Sequence, residues 1–169
     1  MPKITFKLLQ TPLILLDDKV VQLPFKKAEA LLYCLAIKKN MTREQAAALL
    51  WDADDAQVSK KNLRHTLYTI KKAFDLEVIV SPKKPLLALN PEFTYDIDYD
   101  RFLANDGLEL YENELLQGFD LKNAEAFEEW LALERTSLKD SYLRRLYDRM
   151  LQTPQSNVSA MESLFFRYT

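Results

Sequence analysis

Apolar residues recur with two different spacings in the first half of the chain, and the change of spacing predicts where strands give way to helices. Three short β-prone runs come first, ITFKLL, PLILLDDK and VVQL, and the DDK sequence suits a hairpin turn. From Phe25 the apolar residues recur at helical spacing, and the basic KKN sequence at 38–40 suits a helix C-terminus. The pattern predicts a small antiparallel β-meander and a first helix over residues 25–39.

A capping box predicts the start of a second helix. Thr42 stands three residues before Gln45, so its hydroxyl can accept from the backbone N–H of Gln45 while the glutamine side chain reaches back to Thr42. We expect this short helix to end near Trp51. The acidic WDADDA segment that follows has no apolar periodicity, and Asp54 or Asp55 can cap the next helix.

The third predicted helix runs to about Phe74 and is strongly amphipathic. At about 100° per residue its apolar side chains fall within a stripe roughly 60° wide. The stripe comprises Leu63, Leu67, Ile70 and Phe74. The rest of the surface is rich in hydrogen-bond donors, from Lys60, Lys61, Asn62, Arg64, His65, Tyr68, Thr69, Lys71 and Lys72. Two interpretations are open for the helix alone: a solvated charged face, or a surface for a polyanion.

The segment after this helix favours the polyanion. Two β-prone runs, LEVIV and PLLALN, are joined by SPKKP, which predicts a hairpin with Lys83 and Lys84 near its tip. A helix-turn-helix followed by a hairpin is the order of a winged helix, and a basic helix beside a basic wing is how such domains bind duplex DNA.

The segment FTYDIDYDRF, with Asp96, Asp98 and Asp100 at alternate positions, resembles a calcium loop only superficially. Arg101 stands where such a loop requires glycine, so a calcium site is excluded. We instead predict an interdomain linker whose last acidic residue caps a helix beginning near Tyr99.

The remaining chain is predicted to be helical. GLELYENELLQGF has helical character, and residues 124–151 contain neither Gly nor Pro, which predicts one long helix. Its wide apolar stripe would need a helical partner and comprises Phe127, Trp130, Leu131, Leu133, Leu138, Tyr142, Leu146 and Met150. After a break at Pro154, one more short helix is predicted around Met161, Leu164 and Phe165.

Composition excludes several classes of function. The 169 residues are 48% hydrophobic, enough to bury a core, and contain no apolar run long enough for a membrane span and no secretory signal, so we expect a cytoplasmic globular protein. Cys34 is the only cysteine and His65 the only histidine, which rules out an internal disulfide, a cysteine zinc site and a histidine cluster. Cys34 is predicted to be a buried, inert thiol.

Catalytic motifs are missing as well. With two glycines, Gly107 and Gly118, no glycine-rich phosphate loop can be written, and there is no GxSxG elbow or histidine-based triad. We therefore predict no enzyme, no cofactor and no metal site. His65 is interpreted as a phosphate or groove contact because it has no partner ligands, and Trp51 and Trp130 are interpreted as packing residues that could alternatively stack on bases.

Charge divides the chain at Tyr95. Residues 1–95 hold fifteen Lys and Arg against ten Asp and Glu, about +5, whereas residues 96–169 hold eight against fifteen, about −7. This asymmetry indicates two units with different partners.

The order of these segments resembles a known family. The N-terminal part resembles the OmpR-type winged helix, with a β-meander before its helices and an extended link between the second and third. The segments TREQAAALLWDADD, KKNLRHTLYTIKKAF and LELYENELLQGF, followed by EEWLALERTSLKDSYLRRL, are similar to activators of the Streptomyces antibiotic regulatory protein type. In these activators a winged helix precedes a bacterial transcriptional activation domain. The resemblance covers about residues 4–151.

The resemblance implies an α+β fold in two domains. Residues 1–95 would be an OmpR-type winged-helix DNA-binding domain, and residues 96–169 the first part of an all-α, tetratricopeptide-like activation domain. We expect the chain to be part of a longer regulator, whose missing repeats would cover Phe165 and Phe166. The implied function is sequence-specific transcriptional activation, with binding to direct repeats as a homodimer and contact with RNA polymerase.

In the implied complex the third helix would enter the major groove of double-stranded DNA and the wing would lie on the backbone. The predicted DNA-binding residues are Lys60, Lys61, Arg64, His65, Tyr68, Thr69, Lys71, Lys72, Lys83 and Lys84. Arg64 is favoured for base recognition because arginine can donate to guanine O6 and N7. The alternative function is a protein-interaction scaffold whose winged helix no longer binds DNA.

Overall fold

The computed structural model describes residues 1–104 and 107–152, which form a mixed α+β fold with five α-helices and two sheets. The α+β class predicted from the sequence is confirmed. The strands are β1 Lys3–Lys7, β2 Leu13–Leu16, β3 Lys19–Val20, β4 Asn40–Thr42, β5 Ile79–Val80, β6 Leu86–Leu89 and β7 Thr94–Ile97. The helices are α1 Lys26–Lys38, α2 Arg43–Leu50, α3 Ala56–Phe74, α4 Asp98–Leu103 and α5 Glu125–Gln152, with a 3-10 turn at Leu108–Leu110. Over the described ranges, no helix is both long and apolar enough to cross a membrane.

The first sheet has the strand order β3-β2-β1-β7, and its first three strands are the predicted meander. Strands β1 and β2 pair antiparallel, with Ile4 opposite Leu16. The DDK sequence makes the next turn, where Asp17 and Asp18 take positive φ values of 48° and 69°. Aspartate tolerates this left-handed region better than most residues, which explains why the turn falls there.

The predicted interdomain linker is wrong, because its residues form β7 and α4. Strand β7 runs parallel to β1, with Lys3 opposite Thr94, and completes the first sheet. Acidic residues are unfavourable in strands, so the short TYDI run gave little signal, and its partner lies some ninety residues earlier in the chain. Ile97, without a side-chain cap hydrogen bond among the described residues, precedes α4, so the predicted acidic cap is also wrong.

Asp98, the first residue of α4, instead connects the start of this helix to the residues that follow β1. Its carboxylate is buried and accepts hydrogen bonds from the backbone N–H groups of Leu8 (2.8 Å), Leu9 (3.0 Å) and Tyr99 (2.8 Å). Burial raises the pKa of the Asp98 carboxyl, and the three N–H donors act in the opposite direction. The three donors hold the chain where it turns from β7 into α4.

The second sheet has the order β4-β6-β5 and packs beside α1 and α2. Strands β5 and β6 are the predicted hairpin, with Ile79 opposite Leu89. Strand β4 was not predicted, because three residues carry no periodicity, and it pairs with β6 across Met41 and Leu87. Both predicted helix caps are confirmed: α2 begins at the Thr42 capping box, and α3 begins where the Asp55 carboxylate accepts from the backbone N–H of residue 58.

The described part of the second half is less helical than predicted. Within GLELYENELLQGF only Leu108–Leu110 is helical, as a 3-10 turn, and the following residues are irregular. They are held by contacts to the end of β1, where the N–H of Leu116 donates to the carbonyl of Leu8 (2.7 Å). Leu115, Leu116 and Phe119 are buried there, so their apolar pattern reflects packing of an irregular segment.

Helix α5 is confirmed as one long helix. The buried side chains of its stripe are Phe127, Leu131, Leu138, Tyr142 and Leu146. Trp130 and Met150 are partly buried, whereas Leu133 is 73% exposed and was wrongly assigned to the stripe. The predicted break at Pro154 and the short helix after it lie outside the described residues.

A single cluster of buried side chains joins the two halves. Helix α1 is buried along most of its length, and Tyr33 on this helix packs edge to face against Phe119, with ring centroids 5.3 Å apart. Cys34 is buried as predicted, and burial raises the pKa of its thiol. Helix α5 packs against α2, and the Asp52 carboxylate accepts from the N–H of Ala126 (3.0 Å).

Candidate nucleic-acid interface

Core packing and one buried hydrogen bond determine which face of α3 is exposed. Leu63, Ile70 and Phe74 are at most 3% exposed, and Leu67 is half-buried beside them. At the start of the helix the buried Ser59 hydroxyl donates to the Trp51 carbonyl, 2.9 Å away. This arrangement fixes the rotation of α3, so the predicted apolar stripe is confirmed and the basic side chains face outward.

Every lysine and arginine predicted for the interface is exposed. These residues are Lys60, Lys61, Arg64, Lys71, Lys72, Lys83 and Lys84. Within residues 1–104 and 107–152 none of them forms an ion pair with a carboxylate. Four ion pairs found in this part of the chain join other residues: Lys26 to Asp120, Lys39 to Asp100, Arg101 to Asp96 and Arg135 to Glu114. The described part of the acidic second half therefore leaves the cations of α3 and the hairpin available to an external anion.

The hairpin lies on the same side of the molecule as the first turns of α3. A depression of about 560 Å³ opens between α2, α3 and the hairpin, and we call it the α2–α3–hairpin depression. Its lining residues are Arg43, Glu44, Lys60, Leu63, Arg64, Ser81, Lys84 and Pro85. Four cations and one carboxylate thus line the depression together with the exposed Pro85 and the almost fully buried Leu63, and three of these cations were predicted from the sequence.

The middle of α3 borders a second depression toward the hairpin. Tyr68 and Lys71 line it together with Arg43 and Ser81. Residues 60, 64 and 71 share one flank of the helix because they are four and seven residues apart. Tyr68, 64% exposed, continues this flank toward the outermost face.

Five of the predicted residues line neither of these two depressions: Lys61, His65, Thr69, Lys72 and Lys83. His65 is on the other flank of α3, where its ring stacks on Phe25 with an interplanar angle of 9° and centroids 6.0 Å apart. Lys83 lies in the hairpin turn, and its carbonyl accepts from the N–H of Leu86 (2.6 Å). By helical spacing Lys61 and Lys72 point away from the core, and Thr69 lies on the flank of His65.

Sequence reasoning missed Arg43, which lines both depressions. Its backbone N–H donates to the Pro85 carbonyl (3.0 Å), and its Nη2 donates to the Ser81 hydroxyl (3.2 Å). The pairing of β4 with β6 places residue 43 beside the hairpin. The only local signal was an arginine directly after the Thr42 cap, and nothing in it points to residues some forty positions away.

The described residues also bear on metal binding and on the two tryptophans. Among them no group of three or more His, Cys, Asp or Glu side chains is arranged to hold a metal ion. Trp51 is 5% exposed and lies under the Lys27 ammonium, 5.6 Å from the ring centroid. Trp130 is partly buried beneath Lys38, so both tryptophans pack in the protein as predicted.

Comparison with known proteins assigns no family to this chain. No protein-family model matches the chain, and no curated protein is detectably similar to it in sequence.

Proposed function

We propose that this protein is a sequence-specific regulator of transcription that binds double-stranded DNA through α3 and the β5–β6 hairpin. The observation that supports this proposal most directly is the set of exposed, unpaired cations that α3 and the hairpin present beside one depression. Proteins that bind duplex DNA concentrate such charge where phosphates lie. The fold supports it too, because three helices with a three-stranded sheet and a hairpin after the third helix follow the element order expected of a winged helix.

In the proposed complex α3 enters the major groove. An α-helix with its side chains is about 10–12 Å across, and the major groove of B-DNA is about 12 Å wide. Arg64 and Tyr68 would then reach base edges, since they lie on the exposed part of the helix. The lysines at its shoulders and on the hairpin would lie near phosphates, where they neutralise charge at every sequence.

The second half would serve contacts with other proteins. We interpret it as the start of a tetratricopeptide-like activation domain that acts in the cytoplasm, supports a homodimer on DNA and contacts RNA polymerase. Its strongest support is one face of α5 with three large apolar side chains left open: Leu133 is 73% exposed, Tyr147 62% and Leu151 67%. At helical spacing they fall within about 40° of one another, which suits a second helix.

The same face favours one alternative function, a protein-interaction scaffold without DNA binding. An exposed apolar stripe on a helix is typical of a protein contact, whereas a basic face can simply be solvated. A transcription regulator is predicted to bind duplex DNA through the charged surface, whereas a scaffold is predicted not to bind it.

Titration of the whole chain with a labelled mixed-sequence duplex at several salt concentrations separates these functions. We expect binding to weaken steeply as the salt concentration rises. In a plot of the logarithm of the binding constant against the logarithm of the salt concentration, the slope should fall by about 0.9 for each phosphate contacted. Selection of bound sites from a random duplex pool should then enrich one motif. If no complex forms at low salt, the DNA-binding proposal is wrong and the scaffold is retained.

A further inference from the structure

Arg43 differs from the other cations of the interface in being held in place. Its main chain is hydrogen-bonded to Pro85 and its guanidinium to the Ser81 hydroxyl, so both ends of the residue are fixed to the two ends of the hairpin turn. A guanidinium has five N–H donors, and the bond to Ser81 uses one of them. In the described part of the chain Arg43 has no carboxylate within ion-pair distance. The remaining donors are therefore oriented and available.

The surroundings of Arg43 select for an anion with an apolar edge. Lys60, Arg64 and Lys84 line the same depression, and Glu44 is its one carboxylate, so the local charge is strongly positive. Apolar surface beside these side chains comes mainly from the exposed Pro85, because Leu63 is almost fully buried. A free phosphate would contact the cations but not this apolar surface. A sugar–phosphate unit of DNA also places an uncharged deoxyribose ring beside its anionic group.

We propose that the α2–α3–hairpin depression seats one sugar–phosphate unit of bound DNA and that Arg43 is its main phosphate ligand. This inference rests on the proposed function and extends it to a residue and a position outside the basic helix and the hairpin tip. A guanidinium suits the role because its planar N–H groups can donate in parallel to two phosphate oxygens. Since the contact is to the backbone, it contributes equally at every DNA sequence.

The test compares Arg43→Ala with Arg144→Ala in duplex titrations of the whole chain. Arg144 is exposed on α5, so this control removes the same charge far from the depression. We expect Arg43→Ala to weaken binding about tenfold, the usual effect of losing a hydrogen bond to a charged group, and to lower the salt slope by about 0.9. Arg144→Ala should change neither by a comparable amount.

Arg43→Lys checks that geometry matters as well as charge. It keeps the charge and should keep the salt slope, but binding should be weaker than in the wild type because an ammonium cannot donate in the same planar arrangement. Equal affinity for Arg43→Lys and wild type would overturn the assignment of an oriented ligand. A loss in Arg43→Ala that depends on the base sequence would overturn the assignment to the backbone.

Single methylphosphonate substitutions locate the phosphate. At the position seated in the depression, neutralising the phosphate should weaken wild-type binding about tenfold and leave Arg43→Ala unchanged, because the contact is already lost. If Arg43→Ala and the methylphosphonate weaken binding by independent factors at every phosphate position, Arg43 contacts no phosphate. The inference is then wrong, although DNA binding stands. If the wild type binds no duplex, the proposed function itself fails.

Discussion

Arg64 and Lys84 line the same depression but are expected to contribute differently to DNA binding. Arg64 projects from α3, the helix proposed to enter the groove, and can donate two hydrogen bonds to guanine. We predict that Arg64→Ala weakens binding to the selected motif by about 1–3 kcal/mol and weakens binding to random duplex much less, so sequence preference relaxes. Competition titrations with the motif and with scrambled duplex measure the difference.

Lys84 lies on the hairpin, where the proposed contact is to the backbone. Lys84→Ala should therefore weaken binding to motif and random duplex by the same factor and reduce the salt slope by about one. Substituting Lys139, an exposed lysine of α5, provides the matched control. Identical behaviour of the Arg64 and Lys84 variants on both duplexes would refute this division between base and phosphate contacts.

Asp98 matters for stability because three backbone N–H groups depend on its carboxylate. Asp98→Ala would leave these donors buried without an acceptor, and we expect a loss of about 1–3 kcal/mol in the free energy of unfolding. Asp140→Ala, which removes an exposed carboxylate from α5, should stay within about 0.5 kcal/mol of the wild type. Denaturant titration measures both, and a small effect at Asp98 would mean that water replaces the carboxylate.

The pH dependence of the Asp98 contribution follows from its raised pKa. The folded carboxyl binds a proton more readily than the unfolded one, whose ordinary pKa is 3.8. This preferential protonation stabilises the folded state. The stabilisation is complete at pH values below the pKa of the unfolded state and is lost as pH rises through the pKa of the folded state. The stability difference between wild type and Asp98→Ala should therefore be larger near the ordinary pKa than at neutral pH, as unfolding curves across this range would show.

Among the helices, α3 owes its start to a single side chain. The Asp55 carboxylate accepts from the N–H of Val58 at 2.9 Å, while within residues 1–104 and 107–152 the neighbouring Asp54 carboxylate accepts only from the Asn62 side chain, at 3.2 Å. We predict that Asp55→Ala destabilises the protein by about 0.5–2 kcal/mol, the usual effect of losing an N-cap. Asp54→Ala removes the same charge from the same loop and should have a smaller effect in thermal unfolding.

How well an element could be predicted depended on where its stabilising contacts come from. Helices α1 and α3 and the capping box of α2 are determined by residues close in sequence, so periodicity and cap chemistry located them. Strands β4 and β7 exist because β6 and β1 pair with them, and a run of three or four residues carries no such information. The apolar residues of segment 111–119 led to a wrong prediction of helix, because an irregular segment can also bury leucines.

The candidate site shows the same division. The face of α3 followed from helical spacing, and Lys84 followed from its place in a predicted hairpin. Arg43 was missed because only the pairing of β4 with β6 brings it to Ser81. His65 was expected to face the groove, and its stacking on Phe25 depends on how α1 packs against α3, which spacing along α3 does not reveal.

The two halves share one buried core, and this predicts how the molecule unfolds. Phe127 of α5 is fully buried between Phe119 and Trp130, and Phe119 in turn packs on Tyr33 of α1. Because these contacts are continuous, loss of packing on α5 should weaken the helices that carry the basic surface. We expect the described part of the chain to unfold as a single cooperative unit.

The two tryptophans allow a direct measurement, since Trp51 reports on the loop before α3 and Trp130 on α5. Single-tryptophan variants, Trp130→Phe and Trp51→Phe, should each give an unfolding midpoint that shifts when Phe127→Ala is added, by an amount equivalent to about 3–5 kcal/mol. Leu133→Ala, on the exposed face of α5, should shift neither midpoint appreciably. If Phe127→Ala lowers only the transition seen by Trp130, the halves fold independently, and the basic surface does not depend on α5.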